Sequence, residues 1–223
     1  MTNRILLCTY EGEAYLEAQL ASMEGQTESN FRLLLSDDAS TDRSFAIGEA
    51  AAARDERITA IRRESGSGSA ARHFLEGLRN PRFFSAADES DYYLFSDQDD
   101  IWHPDKLAVE ARAMRYLEAR YGKALPLLVH CDMRVVDGTG REIAPSYVRY
   151  QKMSPARRQL RQLLVQNNVT GGAMLMNHAL VRLLVAHPVP EHAVMHDHWI
   201  ALVAAAFGRI AYLDRALYDY RQH

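Results

Sequence analysis

Cysteine is almost missing from this sequence. Cys8 and Cys131 are the only two in 223 residues and no Cys-x-x-Cys occurs, which excludes a disulfide scaffold and a cysteine-rich zinc site. No long hydrophobic run is present either: the apolar stretch Ile200 to Phe207 falls far short of the ~18–20 residues that span a bilayer. Met1 leads into the strand-like Ile5-Leu-Leu-Cys8 and not into a signal peptide, so the sequence predicts a soluble, cytoplasmic protein. Charge of one sign is lacking too. Lys and Arg number 26 against 29 Asp and Glu, a formal −3, without the basic excess of a dedicated nucleic-acid binder. Internal repeats and low-complexity tracts are absent, and Ser65-Gly-Ser-Gly-Ser69 is too short to act as a linker between domains.

What is there is an ordinary globular composition, 48% hydrophobic and 25% charged, at a length that suits one α/β domain. Short apolar runs predict strands at Arg4–Cys8, Phe31–Ser36, Ile58–Arg62, Tyr92–Ser96, Leu127–Cys131, Ala173–Met176 and Arg209–Leu213. Helical stretches lie between them, which predicts a mainly parallel central sheet flanked by helices. Leu16, Leu20 and Met23 fall on one helical face. Ser40 or Thr41 offers the start of a second helix through Ala53, and Pro104 the first turn of a third that ends at Gly122. From Asp132 onward Gly138-Thr-Gly140, Pro145, Pro155 and Gly171-Gly172 punctuate shorter elements, which predicts decoration around one continuing sheet.

Ser96-Asp97-Gln98-Asp99-Asp100 crowds three carboxylates directly after an apolar strand. Like charges so close are costly unless a cation compensates them, and a hard divalent ion takes one or two carboxylates with water and substrate phosphates. Asp-rich turns also cap helices, so a purely local role stays open. Asp37-Asp38-Ala-Ser40-Thr-Asp42 is a second acidic loop after a strand; a carboxylate there can accept the imide N–H of uracil or thymine, or simply shape the turn and helix start. His196-Asp197-His198-Trp199 opens a helix. On a helix His196 and His198 point about 200° apart, which makes a zinc site with His192 poor, whereas a partly desolvated Asp197 suits a general base.

Taken together, Thr9-Tyr-Glu-Gly12, Ser36-Asp-Asp-Ala-Ser-Thr-Asp42, Ser96-Asp-Gln-Asp-Asp100, and His196-Asp-His-Trp199 with Tyr220-Arg-Gln-His223 resemble the motifs of a family 2 glycosyltransferase of the GT-A fold, in its bacterial rhamnosyltransferase-like subgroup. The resemblance implies a single Rossmann-like GT-A domain, with residues 1–105 binding the nucleotide-sugar and 106–223 forming the acceptor side. It implies that Thr9, Tyr10, Glu11, Asp37, Asp38, Arg72 and Asp97 contact the donor, that Asp99 and His223 hold Mg²⁺ or Mn²⁺, and that Asp197 is the catalytic base. Gly171, Gly172, His196 and Trp199 would face the acceptor, and Arg221 or His223 would close over the diphosphate. The implied activity is inverting transfer of a sugar, rhamnose above all, from a dTDP- or UDP-sugar to a saccharide or lipid-linked acceptor in surface polysaccharide synthesis, at the inner face of the membrane.

The third loop, Gly66-Ser-Gly68 with His73-Phe74, departs from the family pattern, and a nucleotide-sugar-binding protein without catalysis or a nucleotidyltransferase are the competing readings. Arg149, Lys152, Arg157, Arg158 and Arg161 form a basic stretch without acid, on a possible helix, that is either a solvated face or a contact to an anionic surface. The sequence stops inside the last motif, which predicts a longer natural protein.

Overall fold

The computed structural model describes residues 1–84, 88–190 and 193–222. In chain order its elements are β1 (Asn3–Thr9), α1 (Leu16–Glu24), β2 (Phe31–Asp37), α2 (Ser44–Arg54), β3 (Ile58–Arg62), α3 (Ala70–Gly77), β4 (Tyr92–Ser96), β5 (Ile101–Trp102), α4 (Lys106–Tyr121), β6 (Leu127–Asp137), β7 (Glu142–Ala144), α5 (Tyr147–Tyr150), α6 (Leu160–Leu163), β8 (Met174–Asn177), α7 (His178–Val185), α8 (His196–Phe207) and β9 (Arg209–Gln222). Among the described residues all nine strands join one sheet in the order β3-β2-β1-β4-β8-β6-β9-β5, with β7 beside β6. The first four strands are parallel, as are β6 and β9; the antiparallel pairings are the short ones made by β8, β5 and β7.

The sheet is covered on both faces, which is why its strands read as unbroken apolar runs. Ile5 and Leu7 pack with Leu16, Leu20 and Met23 of α1 and Leu107, Ala111 and Met114 of α4. Leu6 and Cys8 face the other way, onto Phe74 and Leu75 of α3, Leu180 and Leu184 of α7 and Ile200 of α8. Each such side chain contributes about 1.5–3 kcal/mol on burial. Within α4 Lys106 and Glu110 are fully buried as a pair, 2.8 Å apart, with the ammonium 4.7 Å from the centre of the Trp102 ring.

Register positions the functional loops. Thr9 lies opposite Asp37, and Leu7 opposite Ser96, so β1 and β2 end level, β4 ends two residues short of them, and their following loops emerge at one edge. Strand order reverses about β1, with β2 on one side and β4 on the other, and such switch points in open α/β sheets open a crevice at the carboxyl ends of the strands.

Four expectations are corrected. The helix expected from Ser40 or Thr41 begins at Ser44, because Asp37 accepts the Ser40 N–H at 3.0 Å and Asp42 the Ser44 N–H at 2.9 Å, folding the intervening residues into turns. Pro104 precedes α4, which starts at Lys106. The second half of the chain holds the longest strands: β6 has 11 residues and β9 has 14, their pairing re-phased by bulges around Asp132. The basic stretch is no single helix; α5 and α6 are one turn each, separated by a turn in which Lys152 takes φ +53°.

Candidate active site

A cleft of about 1010 Å³ opens where these loops meet. Cys8, Thr9 and Tyr10 from the end of β1, Asp38 from the end of β2, and Asp97, Gln98 and Asp99 from the end of β4 line it. Gly66, Gly68, Ser69 and the first residues of α3 form another wall, and Tyr220, Arg221 and Gln222 from the end of β9 close it. Cys8 stands between the acidic loops: its thiol is pushed up by burial and then by the charges of Asp97 and Asp38.

Side chains lock the loops to one another. Gln98 Oε1 accepts from the Thr9 hydroxyl at 2.7 Å and from the Tyr10 N–H at 2.8 Å, fastening the loop after β1 to the acidic loop after β4. A Cβ on Gly12 would fall 2.5 Å from that same Gln98 oxygen and 2.7 Å from the Thr9 hydroxyl, so a larger residue there would displace the side chains that join the two loops. Asp38 accepts from the Ser67 N–H at 2.8 Å and hydroxyl at 2.7 Å and pairs with Arg63 at 3.1 Å, which folds the Gly66-Ser-Gly68 loop over the cleft. His73 Nε2 meets the Ser36 hydroxyl at 2.8 Å, and burial lowers its pKa. Arg221 holds the Asp99 carbonyl at 2.9 Å and the Gly138 carbonyl at 2.8 Å, tying β9 to the acidic loop.

The acidic loop is electrostatically unsatisfied. Burial first, then the charges of Asp99 and Asp197, raise the Asp97 pKa to about 7. Burial, Asp97 and Asp99 also push Asp100 up, and both of its carboxylate oxygens are buried without a hydrogen bond. Orphaned hard oxygens beside mutually repelling carboxylates fit a divalent cation. Among the described residues no group of three His, Cys, Asp or Glu side chains is placed to hold a metal ion by itself.

Asp197 stands in the first turn of α8, close enough to Asp97 to raise it. Its own pKa is raised by burial, against which the His198 and Gly171 N–H groups work; Asn167 Nδ2 donates to its Oδ1 at 3.1 Å. Gly171 is required by contact, since a Cβ there would lie 2.5 Å from His196 Nε2. A Cβ on Gly172 would lie 3.2 Å from Asp100 and 3.6 Å from Asp97, so the glycine pair is the link between Asp197 and the acidic loop. Tyr147 and Tyr220 pack edge to face at 5.3 Å; burial first and then the charge of Asp197 raise the first phenol, and burial, Tyr147 and then the charges of Asp100, Asp97 and Asp99 raise the second, so both rings lie within electrostatic reach of the carboxylates.

The glycosyl transferase family 2 model matches residues 4–183, from β1 through the acidic loops to α7. The chain belongs to this family. Among curated relatives, the dTDP-rhamnosyl transferase RfbG of Shigella flexneri is 32% identical over 102 residues, 45% of this chain and 34% of that protein. The UDP-Glc:alpha-D-GlcNAc-diphosphoundecaprenol beta-1,3-glucosyltransferase WfgD of Escherichia coli is 27% identical over 155 residues, 67% of this chain and 53% of that one. The chain thus spans about a third to a half of these relatives. Two solved structures share its GT-A fold. TarS residues 1–349 of S. aureus, in complex with UDP, superposes with a TM-score of 0.68 at 21% identity, covering all of this chain and 61% of that one. The mannosyltransferase PcManGT of Pyrobaculum calidifontis, solved with GDP-Man and Mn²⁺, gives 0.65 at 17% identity over 98% and 56% of the two chains.

Not every expected residue of this family 2 chain reaches the cleft. Arg72 points outward and pairs with Glu76 at 2.7 Å one helical turn on. Glu11 turns to the second loop, accepting from the Thr41 N–H at 2.7 Å and hydroxyl at 3.0 Å. Asp37 is buried beneath, 3.5 Å from Arg62. His196 is buried against Phe74, ring centres 4.2 Å apart, and burial lowers its pKa to about 3. Trp199 is half-buried and packs onto the α3 and α8 side of the core. His223 lies outside the described residues. Gln98 sits inside the acidic motif without a role of its own there, Asn167 shows only by lying ahead of the Gly171-Gly172 pair, and Tyr147 carries no signal.

Proposed function

We propose that this chain is the catalytic domain of an inverting glycosyltransferase that moves a sugar from a dTDP- or UDP-sugar to a saccharide or lipid-linked acceptor in polysaccharide synthesis, on the cytoplasmic side of a membrane. The observation that carries this reading is the gathering of Asp38, Asp97 and Asp99 around one cleft with Asp197 linked to it through Gly171 and Gly172. Rhamnose is the favoured sugar on the strength of the likeness to RfbG.

In this reading Thr9 and Tyr10 line the nucleoside and Asp38 accepts the imide N–H of the base, an interaction that a donor group in its place would forbid. Asp97 faces the ribose. Asp99, with Asp97 and Asp100 nearby, would hold Mg²⁺ or Mn²⁺, which when bound supplies positive charge to the departing diphosphate. Arg221 lies at the same edge and adds a fixed cation there. Asp197 removes the proton of the acceptor hydroxyl as that oxygen attacks the anomeric carbon from the face opposite the diphosphate, and a single displacement inverts the centre. A partly buried carboxylate with a raised pKa is a better base than one in water, and Asn167 fixes its aim.

The test is a panel of dTDP-, UDP- and GDP-sugars offered with Mn²⁺ and saccharide acceptors, the product read by NMR. Transfer with inverted anomeric configuration that disappears in Asp99→Ala and Asp197→Ala supports the reading. Transfer that survives both substitutions overturns it.

A further inference from the structure

Residues 147–166 carry Arg149, Lys152, Arg157, Arg158 and Arg161 and no Asp or Glu. All five basic side chains are exposed. Arg158 donates to the Ile210 carbonyl at 3.3 Å and Arg149 stands 3.9 Å from Asp214, while Lys152, Arg157 and Arg161 have no acidic partner among the described residues. The same surface leaves aliphatic side chains in water. Leu164 is 62% exposed and Val165 86%; of the α6 turn only Leu163 is buried. The Leu163 carbonyl meets His198 Nε2 at 2.7 Å, which seats α6 on the first turn of α8, just after Val194, itself 85% exposed.

Aliphatic side chains interleaved with unpaired cations have a specific chemical partner. A water-facing surface needs the charges but not Leu164, Val165 and Val194, and a free phosphate has no use for the aliphatics. At a bilayer interface the aliphatic groups enter the acyl boundary while Lys and Arg reach the headgroup phosphates.

We propose that this face, from α5 through α6 with Val194, docks onto the surface of an anionic lipid bilayer. The proposal deepens the transferase reading and rests on it for its purpose: Asn167, which directly follows the segment, holds Asp197, so docking sets the base beside the plane in which a lipid-linked acceptor is presented.

The experiment is co-sedimentation of the full chain with vesicles of phosphatidylcholine alone and of phosphatidylcholine with phosphatidylglycerol. The expected result is binding to the mixed vesicles that weakens with salt and little binding to the neutral ones. Arg157→Glu/Arg161→Glu and Leu164→Ser/Val165→Ser should each lower the partition constant about tenfold or more, since one basic residue at an anionic surface is worth roughly fivefold. Arg112→Glu/Arg120→Glu, the same charge change on the exposed side of α4, should lower it much less. Melting temperatures near that of the parent chain show that the variants fold. Equal binding to both vesicles, equal loss in the α4 control, or loss in the arginine pair alone with calorimetric binding of inorganic phosphate would each overturn the proposal. UDP titration on the same samples separates the two readings: UDP binding without vesicle binding sinks the docking face alone, and vesicle binding with no nucleoside diphosphate bound sinks the transferase alone.

Discussion

The Asn167 side-chain amide donates to Asp197 Oδ1 at 3.1 Å. Asn167 is itself pinned, its Nδ2 to the Val169 carbonyl at 2.8 Å and its Oδ1 to the Val169 N–H at 3.0 Å, so the loop before Gly171 sets the rotamer of the proposed base. Asn167→Ala leaves the carboxylate free to rotate about its remaining backbone donors. Turnover should fall about tenfold or more with the donor KM little changed, because a hydrogen bond to a charged carboxylate that aims a reacting group is worth ~1.5 kcal/mol or more. Steady-state kinetics separates the two constants.

Gly171→Ala tests the contact behind Asp197. The added methyl meets His196 Nε2, and His196 cannot retreat because Phe74 stacks on it at 4.2 Å and Phe95 abuts its edge at 5.5 Å. Urea unfolding should show a loss of about 1–3 kcal/mol, the range for overpacking a core. His196→Ala in the same chain should return some of that loss, as coupled neighbours do.

Gln98→Ala releases Thr9 and Tyr10 from the acidic loop. The nucleotide wall loosens while the carboxylates stay, so donor KM should rise about tenfold with turnover within a few-fold of the parent. An unchanged KM would show that Gln98 does not organise the first loop.

Two histidines carry a pH signature. Burial holds His196 down to about 3 and His130 down to about 4, whereas in the unfolded chain both titrate near ~6.5. Below that value the unfolded chain takes protons that the fold refuses, so their contribution is complete above about pH 6.5 and drains away as pH falls toward 4. Asp97, raised to about 7, acts in the opposite sense and is stabilising while protonated at low pH. The difference between the parent chain and His196→Leu therefore isolates the histidine: the variant's stability should depend on pH between 6.5 and 4 with a slope smaller by up to ~1.4 kcal/mol per unit, measured as urea midpoints.

Much of this was legible because the residues concerned are contiguous. The strands ending at Thr9, Asp37 and Ser96 are apolar runs followed at once by the loops that line the cleft, and parallel pairing about β1 then brings those loops together. What escaped depends on partners far along the chain. Nothing near Asn167 names Asp197 as its acceptor, nor does Tyr147 signal that it will meet Tyr220. β5 has only two residues and no periodicity to show. β9 hides its length because Asp214 and Arg215 interrupt the apolar pattern where the strand passes into solvent. Arg72 was drawn to the cleft by its loop, but Glu76 lies four residues on along α3 and takes it on the outer face.

The most direct measurement is a paired one on Asp197→Asn: calorimetric binding of UDP and dTDP with Mn²⁺, and sugar transfer from the donor that the parent chain uses. Asp197→Asn should bind the nucleotide within about threefold of the parent, because the cleft lined by Thr9, Asp38 and Asp99 is untouched, and should lose transfer by about 10²–10⁴, the share of a positioned base. Transfer at the parent's rate, or a parent chain that binds no nucleoside diphosphate, would contradict the account.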